Sequence, residues 1–166
     1  MPEQKYAKYI ITEDFRSTPP ESFLNRLAAQ RAAGNFLDST HMFTLNDKII
    51  KGGLYMDMVW LWHKHGAKGF ETDVAHSHNF DEILCFVGGR QENPRELNAE
   101  IEFWLGDEKY IITKSSIILA PRNVPHCPLI FHRIDSPVLF LQWATTPAIH
   151  RLPVSKSKNI PPILLK

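Results

Sequence analysis

The sequence predicts an all-β domain, a sandwich or closed barrel with one short helix ahead of it, on three observations. From Leu54 onward the chain is a succession of short β-branched and aromatic segments bounded by Gly, Pro, Asn or Asp. One of these segments alternates apolar and polar residues without a break. A single segment near the N-terminus carries helical spacing instead.

The helix is predicted over about residues 19–33, in TPPESFLNRLAAQRAAG. Thr18 and Glu21 have capping-box spacing, prolines occupy the first helical positions, and Gly34 supplies a stop. Phe23, Leu24, Leu27 and Ala28 form its apolar stripe, which suits a lid packed across one end of a sheet structure. The strand-like segments follow as LYMDMVWLWH, DEILCFVGG, AEIEFWLG, KYIIT, SIILAP, CPLIFHRI and PVLFLQWA. In AEIEFWLG, Ala99, Ile101, Phe103 and Leu105 share one face and Glu100, Glu102 and Trp104 the other, so one face of that strand meets solvent. GGRQENPREL and LGDEKY are turn-forming clusters between strands. No internal repeat interrupts this order, and SKSKNIPP in the tail from Pro153 argues against regular structure there.

A chain of 166 residues, 43% apolar and 22% charged, fits one folded domain over 1–166, with a barrel core at about 54–143 and a tail at about 147–166. A formal charge of +1 offers no field for a polyanion, so nucleic acid is excluded as an expected partner. The N-terminus has no apolar signal region, and the longest uncharged stretch, Ser136 to Ile149, is too short and too polar for a membrane span. The expectation is a cytoplasmic protein without a membrane partner. Cys85 and Cys127 make no disulfide framework and are expected as buried free thiols.

The chemistry concentrates in HSHNFDE. His76 and His78, two apart, leave the same face of extended backbone, and Glu82 follows across a short bend. Downstream, APRNVPH ends in His126, which a second strand can deliver to the same centre. Three imidazoles and one carboxylate suit a divalent transition metal (iron, manganese, nickel, cobalt or zinc) and leave one or two positions open on a five- or six-coordinate ion. The expected cofactor is one such ion per chain. A second His-x-His, His63 and His65 in WLWHKHG, lacks a following carboxylate and is expected as an end-of-strand pair in solvent.

These residues resemble the cupin superfamily, whose first motif is G-x5-H-x-H-x3,4-E-x6-G and whose second is G-x5-P-x-G-x2-H-x3-N. His76, His78, Glu82 and Gly89 fall at the expected spacings, and Gly69 stands one residue too far upstream. In the second motif Pro121 and His126 fit, while Ser115, Asn123 and Ile130 replace the two glycines and the asparagine. Asn123 suits the second glycine's turn, because Asn tolerates positive φ. The resemblance covers about Leu54 to Trp143 and implies a jelly-roll barrel with the metal inside, commonly paired into homodimers. The apolar termini YAKYIIT and IPPILLK are expected to cover a partner's barrel.

Two functional classes follow. The first is an enzyme binding a small organic acid, ketone or phenol at the open metal positions, with dioxygenase, isomerase, decarboxylase, lyase and cyclase chemistry all permitted by the resemblance. The second is a non-catalytic module that binds a small ligand or uses the metal for stability. Spacing marks no acid–base residue; Glu100, Glu102 and His132 are candidates because they lie on predicted strands. Of Trp60, Trp62, Phe80, Phe86, Trp104 and Trp143, one or two are expected to line the pocket. Cys127, next to His126, points away from the metal if that backbone is extended.

Overall fold

A computed structural model describes residues 5–15 and 18–154. A 3₁₀ turn at Ala7–Tyr9 precedes helix α1, Glu21–Ala32. Eleven strands follow: β1 Phe36–Leu45, β2 Met56–His65, β3 Phe70–Asp73, β4 His76–Ser77, β5 Glu82–Gly88, β6 Glu96–Leu105, β7 Glu108–Lys114, β8 Ser116–Ala120, β9 His126–Ile134, β10 Val138–Ala144 and β11 Leu152–Pro153. They form two antiparallel sheets ordered β1-β2-β10-β5-β8 and β11-β4-β9-β6-β7, with β3 also on β9. This is a jelly-roll barrel with one short helix, as the sequence predicts. Among the described residues no helix is long and apolar enough to cross a membrane.

Strict alternation builds the core. On β6, Leu97, Ala99, Ile101 and Phe103 are buried while the residues between them are half-buried, which matches the two faces read from the sequence. β5 turns Leu84 and Phe86 inward, β9 turns Leu129 and Phe131 inward, and the Phe86 and Phe140 rings stack at 4.8 Å. Each fully buried side chain of this kind contributes roughly 1.5–3 kcal/mol.

Four strands lie outside the predicted segments, among them β4, whose two residues His76 and Ser77 fall in HSHNFDE. β1 precedes the expected core start, and its alternation is broken by register shifts at Asp38/Ser39 and His41/Phe43, which hides a period of two. β3 is only four residues long. β11 falls in the expected tail, where Leu152 pairs with Ser77; residues 155–166, including IPPILLK, lie outside the described residues.

Helix α1 starts differently from its predicted capping box. Pro20 is the N-cap and no side chain caps the helix; Thr18 lines the barrel cavity instead. The lid role holds for another reason. Gln30 exchanges two hydrogen bonds with the Glu71 backbone, at 2.8 and 2.9 Å, and Arg26 donates to the Thr72 carbonyl at 2.7 Å. These polar contacts pin α1 to β3 and set Pro19, Pro20 and Phe23 over the barrel interior.

Candidate metal centre

β4 and β9 pair so that His76 stands directly opposite His126. His78 lies just beyond β4, and Glu82 opens β5. The loops that carry these residues are tied together. Asn123 donates its backbone N–H to the His78 carbonyl at 2.6 Å, and Arg122 pairs with Asp81 through its backbone N–H and its guanidinium, at 2.9 and 2.7 Å. Asn123 has φ 64°, so the asparagine takes the positive-φ turn expected of it. Ser115 fills another motif glycine's position: its Oγ accepts from Gly88 N at 2.8 Å and donates to the Pro94 carbonyl at 2.6 Å. At Gly69 a Cβ would meet Ile130 Cγ2 at 2.5 Å.

His76, His78, Glu82 and His126 are all buried, at 3% exposure or less, and their ligand atoms lie within 4.8 Å of one another. Each imidazole is oriented from behind. The Nδ1 atoms of His76, His78 and His126 stand 2.7, 2.5 and 3.1 Å from the carbonyls of Val74, His150 and Val124. A carbonyl only accepts, so each Nδ1 carries the proton and each Nε2 is left with a lone pair. All three Nε2 atoms are buried without a hydrogen-bond partner. Those of His78 and His126 lie 3.5 and 2.9 Å from Glu82 Oε2, near it but not aligned to donate. Gln142 donates to the other carboxylate oxygen, and the Phe80 ring stacks on His78 at 4.5 Å.

Burial pushes His76 down to about 4, against the raising effect of its bond to Val74. For Glu82 burial acts upward, but the surrounding His126, His78 and Gln142 outweigh it and hold the carboxyl well below the usual range. A His76 imidazole held neutral beside an ionised Glu82 carboxylate has the protonation states that metal ligation requires. Donor types, burial and unpartnered lone pairs thus fit a divalent cation.

A cavity of about 590 Å³ opens onto His76 and Glu82. Its wall differs from the one expected. Phe23, Tyr55 and Phe140 line it, whereas Trp62 and Trp143 are exposed, Trp60 stacks on Trp62 outside the barrel, and Phe86 is core. Phe80 reaches the site only by backing His78. Glu100, Glu102 and His132 do not line it either; Glu102 and His132 pair with each other at 2.9 Å on the outer face. Beyond His76 and Glu82, the polar groups in the cavity include Tyr55, Asp57, Asp73, Gln142, His150 and Arg151. Tyr55 donates to Asp57, which also accepts from Thr44 at 2.6 Å; burial and Asp57 raise the phenol far above its usual value. Arg151 donates to Asp73 at 2.6 Å. Burial raises Asp73, partly countered by Arg151. No motif spacing marks these residues; β2, β3 and the segment after β10 bring them in from distant parts of the chain.

Both cysteines are free and Cys127 is buried, as expected, but the setting of each differs from the one read from the sequence. Cys127 has φ 66°, so the backbone after His126 is not extended, and the thiol faces the cavity within 4.8 Å of ligand atoms of Asp73 and His76. Burial, with Asp73 and Glu82 nearby, pushes that thiol up, so it is neutral near pH 7. Cys85 is free but only half-buried, on the outer face of β5. His63 and His65 behave as a separate pair: His63 Nδ1 meets the Ile134 carbonyl at 3.1 Å, and His65 Nε2 meets Asp38 at 2.7 Å.

No family model matches this sequence, and no curated protein matches it. Solved structures do. Peruvianin-I, a cysteine peptidase from Thevetia peruviana latex, aligns with a TM-score of 0.50 at 12% identity, over 90% of this chain and 78% of that one. An oxalate oxidase bound to the substrate analogue glycolate gives 0.44 at 14% identity over 71% of this chain, which spans about half, 55%, of that protein. A cupin domain from Schizosaccharomyces pombe gives 0.41 at 15% identity, over 66% of this chain and 64% of that one. At these identities the likeness concerns fold. The double-sheet topology and the buried His–His–Glu–His cluster together make the chain a cupin-type jelly-roll barrel with a potential metal site.

Proposed function

We propose that this barrel binds one divalent transition metal through His76, His78, Glu82 and His126 and is a metal-dependent enzyme acting on a small organic substrate. The observation that carries this reading is the set of three buried Nε2 lone pairs facing one carboxylate, each ring held from behind by a backbone carbonyl. A structural site of histidines alone would need no cavity, yet here a space of about 590 Å³ reaches His76 and Glu82.

When bound, the ion supplies a Lewis acid that polarises a coordinated oxygen. The chain's own residues do the rest. Gln142 holds the Glu82 carboxylate in place, and Phe23 and Phe140 exclude water and favour an apolar substrate body. Tyr55 holds a proton at its hydroxyl on the cavity wall, and Asp57, accepting that hydroxyl, fixes its orientation. Arg151 supplies a positive charge at the cavity for a carboxylate or enolate oxygen.

The test is elemental analysis of untagged protein, with a screen of small oxygen-bearing chelators such as 2-oxo acids and catechols by optical titration and product detection. The reading expects near one equivalent of metal, a spectral change on adding chelator, and turnover of at least one compound. Absence of bound metal from protein supplied with iron, manganese, nickel, cobalt and zinc in turn overturns the site. Metal without any turnover leaves the cavity a binding module.

A further inference from the structure

A second cavity, of about 580 Å³, lies under helix α1. Its floor is made by Leu37, Val59, Phe70 and Phe131, which belong to the core or pack against it, and its roof by the apolar stripe of α1, Phe23, Leu27 and Ala28. An amphipathic helix ordinarily buries such a stripe against the surface it covers. Of this stripe Leu27 packs against the core, yet no residue of α1 is buried. The helix is fastened by polar contacts instead, from Gln30 and Arg26 to the backbone of β3, and the space beneath its stripe stays open. Protein interiors keep few voids larger than a water molecule, whereas a space of this size is in the range of small-molecule sites.

This chamber adjoins the metal cavity. Pro19, Phe23, Tyr55, Asp57, Thr72 and Phe140 line both spaces, so no more than the thickness of a side chain separates them. The two differ in chemistry. The first presents His76, Glu82, Asp73, Gln142 and Arg151. At the edge of the second the polar groups are engaged within the protein: Thr44 donates to Asp57 at 2.6 Å, His41 stands 2.9 Å from Asp14, and Asn46 accepts from the Lys48 backbone at 2.9 Å. Polarity thus falls from the metal cluster toward α1. Much of the second lining comes from α1 and β1, which lie outside the segment over which the motif resemblance runs.

We propose that the two spaces form one binding site for an amphiphilic substrate, with an oxygen-bearing chelating head at the metal cluster and an apolar tail that passes Tyr55 and Phe140 into the chamber under α1. The inference rests on the metal reading above for the head and on the chamber for the tail. Leu27 and Ala28 line only the second chamber, so they set how long a tail fits without touching the head. Each methylene moved from water into an apolar site of this kind tightens binding roughly four-fold. A substrate without a tail would leave the chamber unused.

Calorimetric titration of straight-chain 2-oxo acids, from pyruvate to 2-oxodecanoate, into the cobalt-loaded full chain tests the proposal, with the cobalt optical spectrum followed in parallel. The expected result is a spectral change with every acid and an affinity that climbs roughly four-fold per methylene until the chamber is full. Ala28→Trp brings an indole into the chamber from an exposed helix position, so it should cost the longest acids at least about ten-fold and end the climb at shorter chains. Leu27→Ala opens the roof and should carry the climb to longer chains. Each variant is read against its own pyruvate affinity, so a general loss of folding does not imitate either shift. An affinity indifferent to chain length, as would be seen were another part of the chain seated in the chamber, overturns the proposal, and so does a length dependence that Ala28→Trp leaves untouched. In both cases a spectral change with pyruvate leaves the metal reading standing. No spectral change with any acid overturns the shared site together with the metal reading, whether or not heat is released.

Discussion

Two His-x-His pairs on this chain meet different fates. His76 and His78 place their rings 4.8 Å apart, edge to face; His63 and His65 place theirs 4.6 Å apart in the same arrangement. Spacing alone therefore builds the same local geometry twice. The difference lies in what the fold adds. Behind the first pair backbone carbonyls take every Nδ1, β9 delivers a third imidazole, and β5 delivers a carboxylate, all nearly sealed from solvent. At the second pair Asp38 takes His65 Nε2, the atom that would have to bind a metal, and Phe36 stacks on the ring at 4.2 Å. A cluster able to hold a metal is thus made by leaving converging lone pairs without partners, which local sequence cannot specify.

The most direct way to break this comparison is to remove a ligand from the first pair's cluster. His78→Ala or His126→Ala should abolish stoichiometric metal binding, with affinity falling at least about 100-fold, because each removes one of four donors. Mass-spectrometric metal analysis after dialysis reads this directly. His63→Ala should leave the metal content at the wild-type level, and a comparable loss in both variants would erase the distinction.

Acid provides the second test. In the metal-free protein His76 resists protonation until about pH 4, whereas the unfolded chain protonates it near 6.5. The unfolded state then binds the extra proton, so stability is present above pH 6.5 and declines as pH falls toward 4, by an amount on the order of 3 kcal/mol. Urea midpoints of metal-free protein at pH 7 and pH 4.5 measure the drop, and His76→Gln should shrink it.

The support behind the carboxylate is next. Gln142→Leu keeps the side chain's bulk but removes the donor to Glu82, and metal affinity should weaken about 10- to 100-fold. A competitive chelator titration resolves a change of that size. Unchanged affinity would mean that burial alone fixes the carboxylate.

What the sequence made legible follows the same division. The four clustered residues could be found because they fall in two short segments of recognisable spacing, and the strands of β5, β6, β9 and β10 because their inward residues are apolar at every second position. Tyr55, Asp57, Asp73, His150 and Arg151 could not, since they come from three separate segments, the start of β2, the end of β3 and the stretch after β10, and nothing but the folded register brings them to one cavity. Cys127 was misplaced because extended backbone was assumed where φ is 66°. The aromatic wall was sought among strand tryptophans, but Trp62 and Trp143 are exposed and Trp60 stacks on Trp62, while Phe23, Tyr55 and Phe140 take the wall instead.

The smallest expected effect lies at His65. Its contact with Asp38 joins two partly exposed side chains, with 36% and 47% of their surfaces open to solvent. Ion pairs of that kind contribute roughly 0–1 kcal/mol and are screened by salt. The stack on Phe36 adds an aromatic contact on the order of 0.5–1 kcal/mol, which salt does not screen. His65→Gln removes both the ring and its contact with Asp38, so it should lower stability by about 1 kcal/mol with metal content unchanged. Asp38→Asn leaves the ring stacked and removes only the carboxylate, so its smaller loss should vanish in high salt. If Asp38→Asn instead opened His65 to a metal, seen as a second equivalent on titration with zinc or nickel, the occupied Nε2 would be the sole barrier separating the two pairs. The fold offers no third donor at that position: the nearest partners of His63 and His65 are the Ile134 carbonyl, Asp38 and each other. The expected outcome is therefore one equivalent in both variants.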